Sequence, residues 1–169
     1  MPFYRKYISP CAKRILLYNT IMENMPEKNP SRILETVRAA LPGGETPGGD
    51  PTQLGPLVLA YIGDTVYDLY VRTHLVLSTR LTAHGLHIAA ARQVCASSQA
   101  ESFKKIEPML TEDELAVYKR GRNGHMGTIP KNASIGDYRS ATGLEAVIGW
   151  LYLKGNDARL NEIMRAILE

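Results

Sequence analysis

From residue 53 to residue 77, Leu54, Val58, Tyr61, Ile62, Val66, Leu69 and Leu75 recur close to the helical period. Apolar side chains spaced at about 3.6 residues line a helix and cannot line one face of a strand, whose period is two. The run predicts a long, largely buried helix over 53–77. The same period returns downstream. Ala89, Ala90, Ala91, Val94 and Ala96 predict one close-packing helix over 82–105. Thr111 and Glu114 form a capping-box pattern that opens a helix over 112–121, ended by Gly121 and Gly124. Leu144, Val147, Ile148, Leu151 and Tyr152 predict a helix over 138–153, stopped by Gly155. Leu160, Ile163, Met164 and Ile167 turn the last helix, 157–168, inward. No segment alternates as a strand does, and no internal repeat occurs. The expected class is all-α.

Upstream the pattern changes. Residues 41–51, LPGGETPGGDP, hold four glycines and three prolines, which neither a helix nor a strand tolerates. They read as a linker. Residues 1–51 are therefore expected to be an N-terminal extension and linker, and 52–169 the functional domain. Within the extension, Pro30 and Ser31 open a short helical pattern with Ile33, Leu34, Val37 and Leu41 on one face. Met1 to Arg14 carries Arg5, Lys6, Lys13 and Arg14 without an acid, with Tyr4, Tyr7 and Tyr18 interleaved. The plain reading is a poorly ordered extension or a start placed too far upstream. A nucleic-acid-binding arm and an organelle-targeting peptide are the alternatives. A secretory signal is not, because the apolar stretch and cleavage site are missing.

Composition excludes several classes. The longest apolar stretch, Leu54 to Leu69, is broken by Asp64 and Asp68, so no membrane helix is expected. Cys11 and Cys95 have neither metal-ligand spacing nor the density of a disulfide scaffold. A reducing compartment, the cytoplasm, is the simplest setting. Cys95 sits in an alanine-rich run and is expected to be a small core residue. The net charge of +3 says little about a polyanionic partner. Its distribution says more, since Lys119, Arg120, Arg122, Lys131 and Arg139 face Asp137 alone between residues 118 and 139.

Two carboxylates carry the chemical argument. Asp64 in LVLAYIGDTVYDLYV and Glu145 in ATGLEAVIGWLYL are each the principal acid of an apolar helix. Burying such a group is costly unless it meets a cation or several donors. Two of them suggest a shared partner, and Mg²⁺ suits oxygen ligands of this kind. Ordinary buried ion pairs are the competing reading. Asp68 lies one turn after Asp64 and Arg72 one turn later, which fits either a third metal contact or an exposed i,i+4 ion pair. Gly63 and Gly143, close before the two acids, suggest tight approach of a backbone or a ligand. The segment YKRGRNGHMGTIPKN with DYRSAT offers Arg120, Arg122, Asn123, Lys131, Asn132, Tyr138, Arg139 and Ser140 as donors for phosphates and ribose hydroxyls. Arg139 at a helix start opposes the dipole, and a phosphate docked there would offset that. A merely solvated basic loop is the alternative. His74, His84 and His87 form no metal set, and no histidine base is expected.

The string Ile62-Gly63-Asp64-Thr65-Val66 with Asp68 four residues on, together with Glu145-Ala146-Val147-Ile148-Gly149 leading into Leu151-Tyr152-Leu153, resembles the two signature motifs of the ribonuclease III family. The segment Arg120-Gly121-Arg122-Asn123, Pro130-Lys131-Asn132 and Tyr138-Arg139 is similar to the Mini-ribonuclease III branch, which keeps the nuclease domain without a double-stranded-RNA-binding domain. None is expected after Glu169. The likeness covers residues 53 to 155, in order.

The resemblance implies a ribonuclease III-like helical endonuclease domain that acts as a homodimer. It implies Mg²⁺-dependent cutting of double-stranded RNA, with Asp64 and Glu145 as catalytic metal ligands and Asp68 as a third contact or an outer contributor. By analogy the substrate is precursor large-subunit ribosomal RNA, with a large-subunit ribosomal protein assisting. The chain departs from full-length ribonuclease III at Ala60 and Thr142, where further carboxylates are expected. That leaves Asp64 and Glu145 as the metal ligands, fewer carboxylates than a full two-metal site uses. The competing functions are a catalytically weak RNA-binding scaffold in rRNA processing or ribosome assembly, and a helical interaction domain with no RNA role.

Overall fold

The computed structural model describes residues 32–40, 49–124 and 134–169. Among them are seven α-helices and no strand: α1 (Arg32–Ala40), α2 (Pro56–Ser78), α3 (Ala83–Gln93), α4 (Ala96–Ile106), α5 (Glu112–Arg122), α6 (Ile135–Leu153) and α7 (Asp157–Leu168). Single 3-10 turns, Pro51–Gln53 and Glu107–Met109, precede α2 and α5.

α6 is the axis of the fold, with α2, α4 and α5 laid against it. Every residue from Ala141 to Tyr152 is buried except Glu145. Such a helix is apolar around its whole circumference and must be enclosed by neighbours. Glycine lets them come close. A Cβ on Gly63 of α2 would stand 1.8 Å from the Glu145 carbonyl oxygen, and one on Gly149 of α6 would stand 2.0 Å from the Leu59 carbonyl oxygen. α2 and α6 therefore cross with their backbones in contact. Gly143 does the same for α5, where a Cβ would meet the Tyr118 ring at 2.6 Å. Tyr118 is stacked on Phe103 of α4, so three helices meet on one aromatic pair.

The capping box at Thr111 and Glu114 forms as expected. Glu114 has a second role that the sequence pattern did not reveal. It is 2 % exposed and takes Arg159 Nε and Nη2 at 2.8 and 2.9 Å, while Nη2 also donates to the Met109 carbonyl. Burial pushes the Glu114 carboxyl up, but hydrogen bonds from Arg159 and Thr111 outweigh it and hold the group below its ordinary value. This pair clamps the start of α7 to the start of α5.

Four expectations change. The helix expected over 82–105 is two helices, because the chain turns extended at Cys95 (φ −71°, ψ 154°). Val94 ends α3 and Cys95 caps α4, a break that lets α4 swing onto α6. Cys95 is consequently exposed, not a core residue. α6 begins at Ile135, capped by Ser134, so Arg139 lies in its second turn and the dipole argument for a phosphate beside it lapses. Finally, α2 is buried on one side only. Leu59, Val66, Val71 and Leu75 face inward, while Val58, Tyr61 and Leu69 face out, with Tyr61 80 % exposed. The helix is apolar on two faces and a single chain covers only one.

The short helix expected from Pro30 appears as α1, with Leu34 buried in the core. The tyrosine-rich N-terminal stretch, most of the Gly/Pro linker, and Lys131 and Asn132 lie outside the described residues. Among the described residues no helix is long and apolar enough to cross a membrane.

Candidate active site

Asp64 and Glu145 are brought together by the α2–α6 crossing. Gly63 immediately precedes Asp64, and its Cα faces the backbone of Glu145 itself. The tight approach suggested by that glycine is thus made by protein backbone. Asp64 projects to the exposed side of α2, and Glu145 is half-buried on α6.

Their electrostatics set them apart from the other acids. Burial, and then the charge of Asp64, push the Glu145 carboxyl up to about 7, with a hydrogen bond from Gln99 acting in the opposite direction. Burial and the neighbouring charge of Asp68 raise Asp64 as well. The charge of Asp64 thus acts on the more deeply buried Glu145 carboxyl. Tyr67, one turn beyond Asp64 and fully buried, is also pushed up by burial and in part by Glu145. Its hydroxyl is held between Ser102 Oγ and the Gln93 carbonyl, each at 3.4 Å. A half-buried carboxylate facing a second carboxylate is a poor structural element and a good cation trap.

Asp68 divides its roles. One oxygen accepts from Arg72 Nε at 2.6 Å, the i,i+4 pair foreseen as the alternative. The other, Oδ1, is buried without a hydrogen-bond donor among the described residues. The two positions where further acids are absent are plainly structural. Ala60 is buried in the core, and the Thr142 hydroxyl donates to the Tyr138 carbonyl at 3.0 Å. Among the described residues no group of three His, Cys, Asp or Glu side chains converges as a metal cage. The site offers two carboxylates and the edge of a third.

The described basic residues fall at the end of α5 and on α6. A Cβ on Gly121 would meet the Ala146 Cβ at 2.8 Å, so the end of α5 abuts the residue next to Glu145. Arg122, Asn123 and Arg139 are exposed there. Two of the expected donors already have internal partners: Arg120 Nη1 donates to the Thr52 carbonyl at 3.1 Å, and Ser140 Oγ shares a hydrogen bond with the Tyr118 hydroxyl at 3.0 Å. The Tyr138 ring is half-buried. Gln99 was missed at the level of sequence, since SSQAES carries no motif. Gly149 was missed because its role depends on which helix crosses it.

Comparison with known proteins agrees with this arrangement. The ribonuclease III domain model matches residues 57–156. The chain is 46% identical over 127 residues to a Mini-ribonuclease 3 of Clostridium tetani, spanning 75% of this chain and 84% of that one. It is 47% identical over 116 residues to a Mini-ribonuclease 3 of Brevibacillus brevis, spanning 69% and 87%. An X-ray structure of a Fusobacterium nucleatum protein superposes with a TM-score of 0.63 at 28% identity, covering 69% of this chain and 93% of that one. Matched across its helical core and both acidic helices, the chain belongs to the ribonuclease III family, in its Mini-ribonuclease 3 branch, and is an endoribonuclease.

Proposed function

We propose that this protein hydrolyses phosphodiester bonds of double-stranded RNA as a Mg²⁺-dependent homodimer in the cytoplasm, maturing precursor large-subunit ribosomal RNA with a large-subunit ribosomal protein as helper. The observation that carries the nuclease reading is the Asp64–Glu145 pair, two carboxylates held close with both proton affinities raised. Shape recognition of a polyanion needs no such pair, which disfavours the scaffold reading.

The donor set suits a hard, hydrated cation. Asp64 and Glu145 would hold it, and Asp68 lies close enough for its charge to act on Asp64. Two buried acceptors, Asp68 Oδ1 and Gln99 Oε1, lack hydrogen-bond donors among the described residues, and water bound to such a cation is a donor. When bound, the cation supplies positive charge that polarises the scissile phosphate and makes an attacking water more acidic. Asp64 and Glu145 would hold it from two crossed helices. Arg122, Asn123 and Arg139 steer the duplex backbone toward the carboxylates, and Lys131 and Asn132 belong to the same proposed contact set, with Arg120, Tyr138 and Ser140 reached only if their internal contacts yield. Recognition of this kind reads A-form shape and 2′-hydroxyls, and its affinity falls with salt.

The homodimer is supported by the uncovered face of α2. Leu57, Val58, Tyr61 and Leu69 form a stripe at helical spacing, 40 to 80 % exposed. Large apolar side chains exposed together on one face of a helix are a feature of interfaces. Asp64 lies between Tyr61 and Leu69 on the same helix, so pairing along this stripe would flank the interface with two active sites, one for each strand.

The test is incubation of purified protein with a labelled RNA duplex and a single-stranded control, in Mg²⁺ and in chelator. Cutting of the duplex alone, and only in Mg²⁺, is expected. Duplex binding without cutting at any Mg²⁺ concentration would refute the nuclease reading in favour of a scaffold.

A further inference from the structure

Thr52 lies in the short turn before α2, and each of its polar groups is bound to a different part of the chain. Its N–H donates to Asp50 Oδ1 at 2.9 Å, which caps the 3-10 turn Pro51–Gln53. Its hydroxyl accepts from Trp150 Nε1 of α6 at 3.1 Å. Its carbonyl accepts from Arg120 Nη1 of α5 at 3.1 Å. Trp150 is buried, and a buried indole N–H needs an acceptor. Pro51, beside Thr52, is buried as well, so the turn is fixed against the core. The last turn of α5 is held at two further points. A Cβ on Gly124 would stand 3.0 Å from Leu57 Cδ2 at the start of α2, and one on Gly121 would stand 2.8 Å from the Ala146 Cβ on α6. Arg122 and Asn123 lie between these two glycines in the chain and are exposed. Thr52 is 68 residues from Arg120 and 98 from Trp150, so no local pattern in the sequence connects them.

We propose that Thr52 is a positioning residue for RNA binding: with its hydroxyl fixed on Trp150, its carbonyl holds Arg120 and thereby sets the last turn of α5, from which Arg122 and Asn123 meet the duplex backbone. The proposal rests on the reading of that end of α5 as an RNA contact. The last turn of a helix frays, because its carbonyls have no partners further along the helix. Arg122 and Asn123 sit on such a turn, and ordering it only when RNA arrives would cost affinity. An end that is already held in place avoids that cost. Arg120 suits the task, since its long stem ends in a planar fork of N–H donors. Its acceptor is a neutral carbonyl, so the positive charge at the end of α5 is kept, where a carboxylate partner would cancel it for an approaching polyanion. Arg120 thus keeps its internal bond and acts on RNA through Arg122 and Asn123.

The test compares wild type with Thr52→Val, which keeps the shape and removes the hydroxyl, with Thr52→Ser, which restores it, with Arg120→Met, and with Thr52→Val and Arg120→Met combined. Duplex affinity in chelator, the single-turnover cutting rate at saturating protein, and the melting temperature are read for each. Thr52→Val is expected to weaken duplex affinity by about 10-fold, the size of one charge-assisted hydrogen bond, although it changes no charge. It should leave the saturated cutting rate unchanged, because the crossing of α2 and α6 is untouched, and Thr52→Ser should bind as wild type does. The combined variant should bind no more weakly than Arg120→Met alone, since both changes act through one bond. If Thr52→Val does not fold, Thr52→Ala is read in the same way. Wild-type duplex affinity in a folded Thr52→Val, with only a lower melting temperature, would overturn the proposal and make Thr52 a structural residue. Additive losses in the combined variant would overturn it too, since Arg120 would then act on RNA by a separate route. Arg122→Ala with wild-type duplex affinity would overturn the reading of the end of α5 as an RNA contact, and this proposal with it.

Discussion

Gly63→Ala is expected to destabilise the fold by about 3 kcal/mol or more and to abolish cutting, the upper end of what overpacking costs. The added methyl would stand 1.8 Å from the Glu145 carbonyl oxygen, 2.6 Å from its carbonyl carbon and 2.8 Å from the Gly149 nitrogen. Ordinary contact is about 3.5 Å. All three atoms are backbone inside α6, so no side chain can swing aside, and α2 and α6 must separate by more than an ångström. Separation strikes function and stability together, because the same crossing aligns Asp64 with Glu145. Gly149→Ala meets the Leu59 carbonyl at 2.0 Å and is expected to behave alike. Gly136→Ala is the control. It is exposed, its nearest neighbour is Ser134 Oγ at 3.6 Å, and it is expected to cost nothing. Thermal denaturation with a duplex-cutting assay reads all three. A Gly63→Ala protein with wild-type melting and activity would mean the helices are not in backbone contact.

Glu145→Gln is expected to lower cutting on the order of 100- to 1,000-fold, as removal of an electrostatic group from an active site does, while duplex binding in chelator is unchanged. Its effect on stability has the opposite sign. A carboxyl raised from its ordinary value of 4.5 to about 7 binds its proton more tightly in the folded state than in the unfolded one. Stability of the metal-free protein therefore falls as pH rises between those values, and the full penalty applies above the upper one. Glutamine removes that penalty, so the variant should melt no lower than wild type at pH 8 and should lose the slope between the two values. Asp64→Asn is expected to stop cutting too. Retained cutting in either variant would remove that residue from the catalytic pair.

Both acids were legible in the sequence for a physical reason. A carboxylate in the middle of an apolar helix is costly, so its presence is informative. The helical class was legible because the apolar period persists over most of the chain. The misreadings share a cause: periodicity does not tell what lies opposite. It marked Val58, Tyr61 and Leu69 as core, although one chain supplies α2 with only one packing face. It ran through Gln93-Val94-Cys95, since a helix break by an extended Cys95 needs neither glycine nor proline. Gly149 gains meaning only from α2, far away in sequence. Arg120 and Ser140 read as free donors, and the fold gives each an internal partner.

The central claim is that Asp64 and Glu145 act as one cation site. It is tested most directly by measuring Mg²⁺ affinity by calorimetry in wild type on both sides of pH 7. The account predicts that affinity weakens as pH falls through about 7, where Glu145 takes up its proton, and that binding releases protons near that pH. Glu145→Gln should bind weakly at every pH, without that dependence. Mg²⁺ affinity that is flat across pH 7, or equal in wild type and Glu145→Gln, would contradict it.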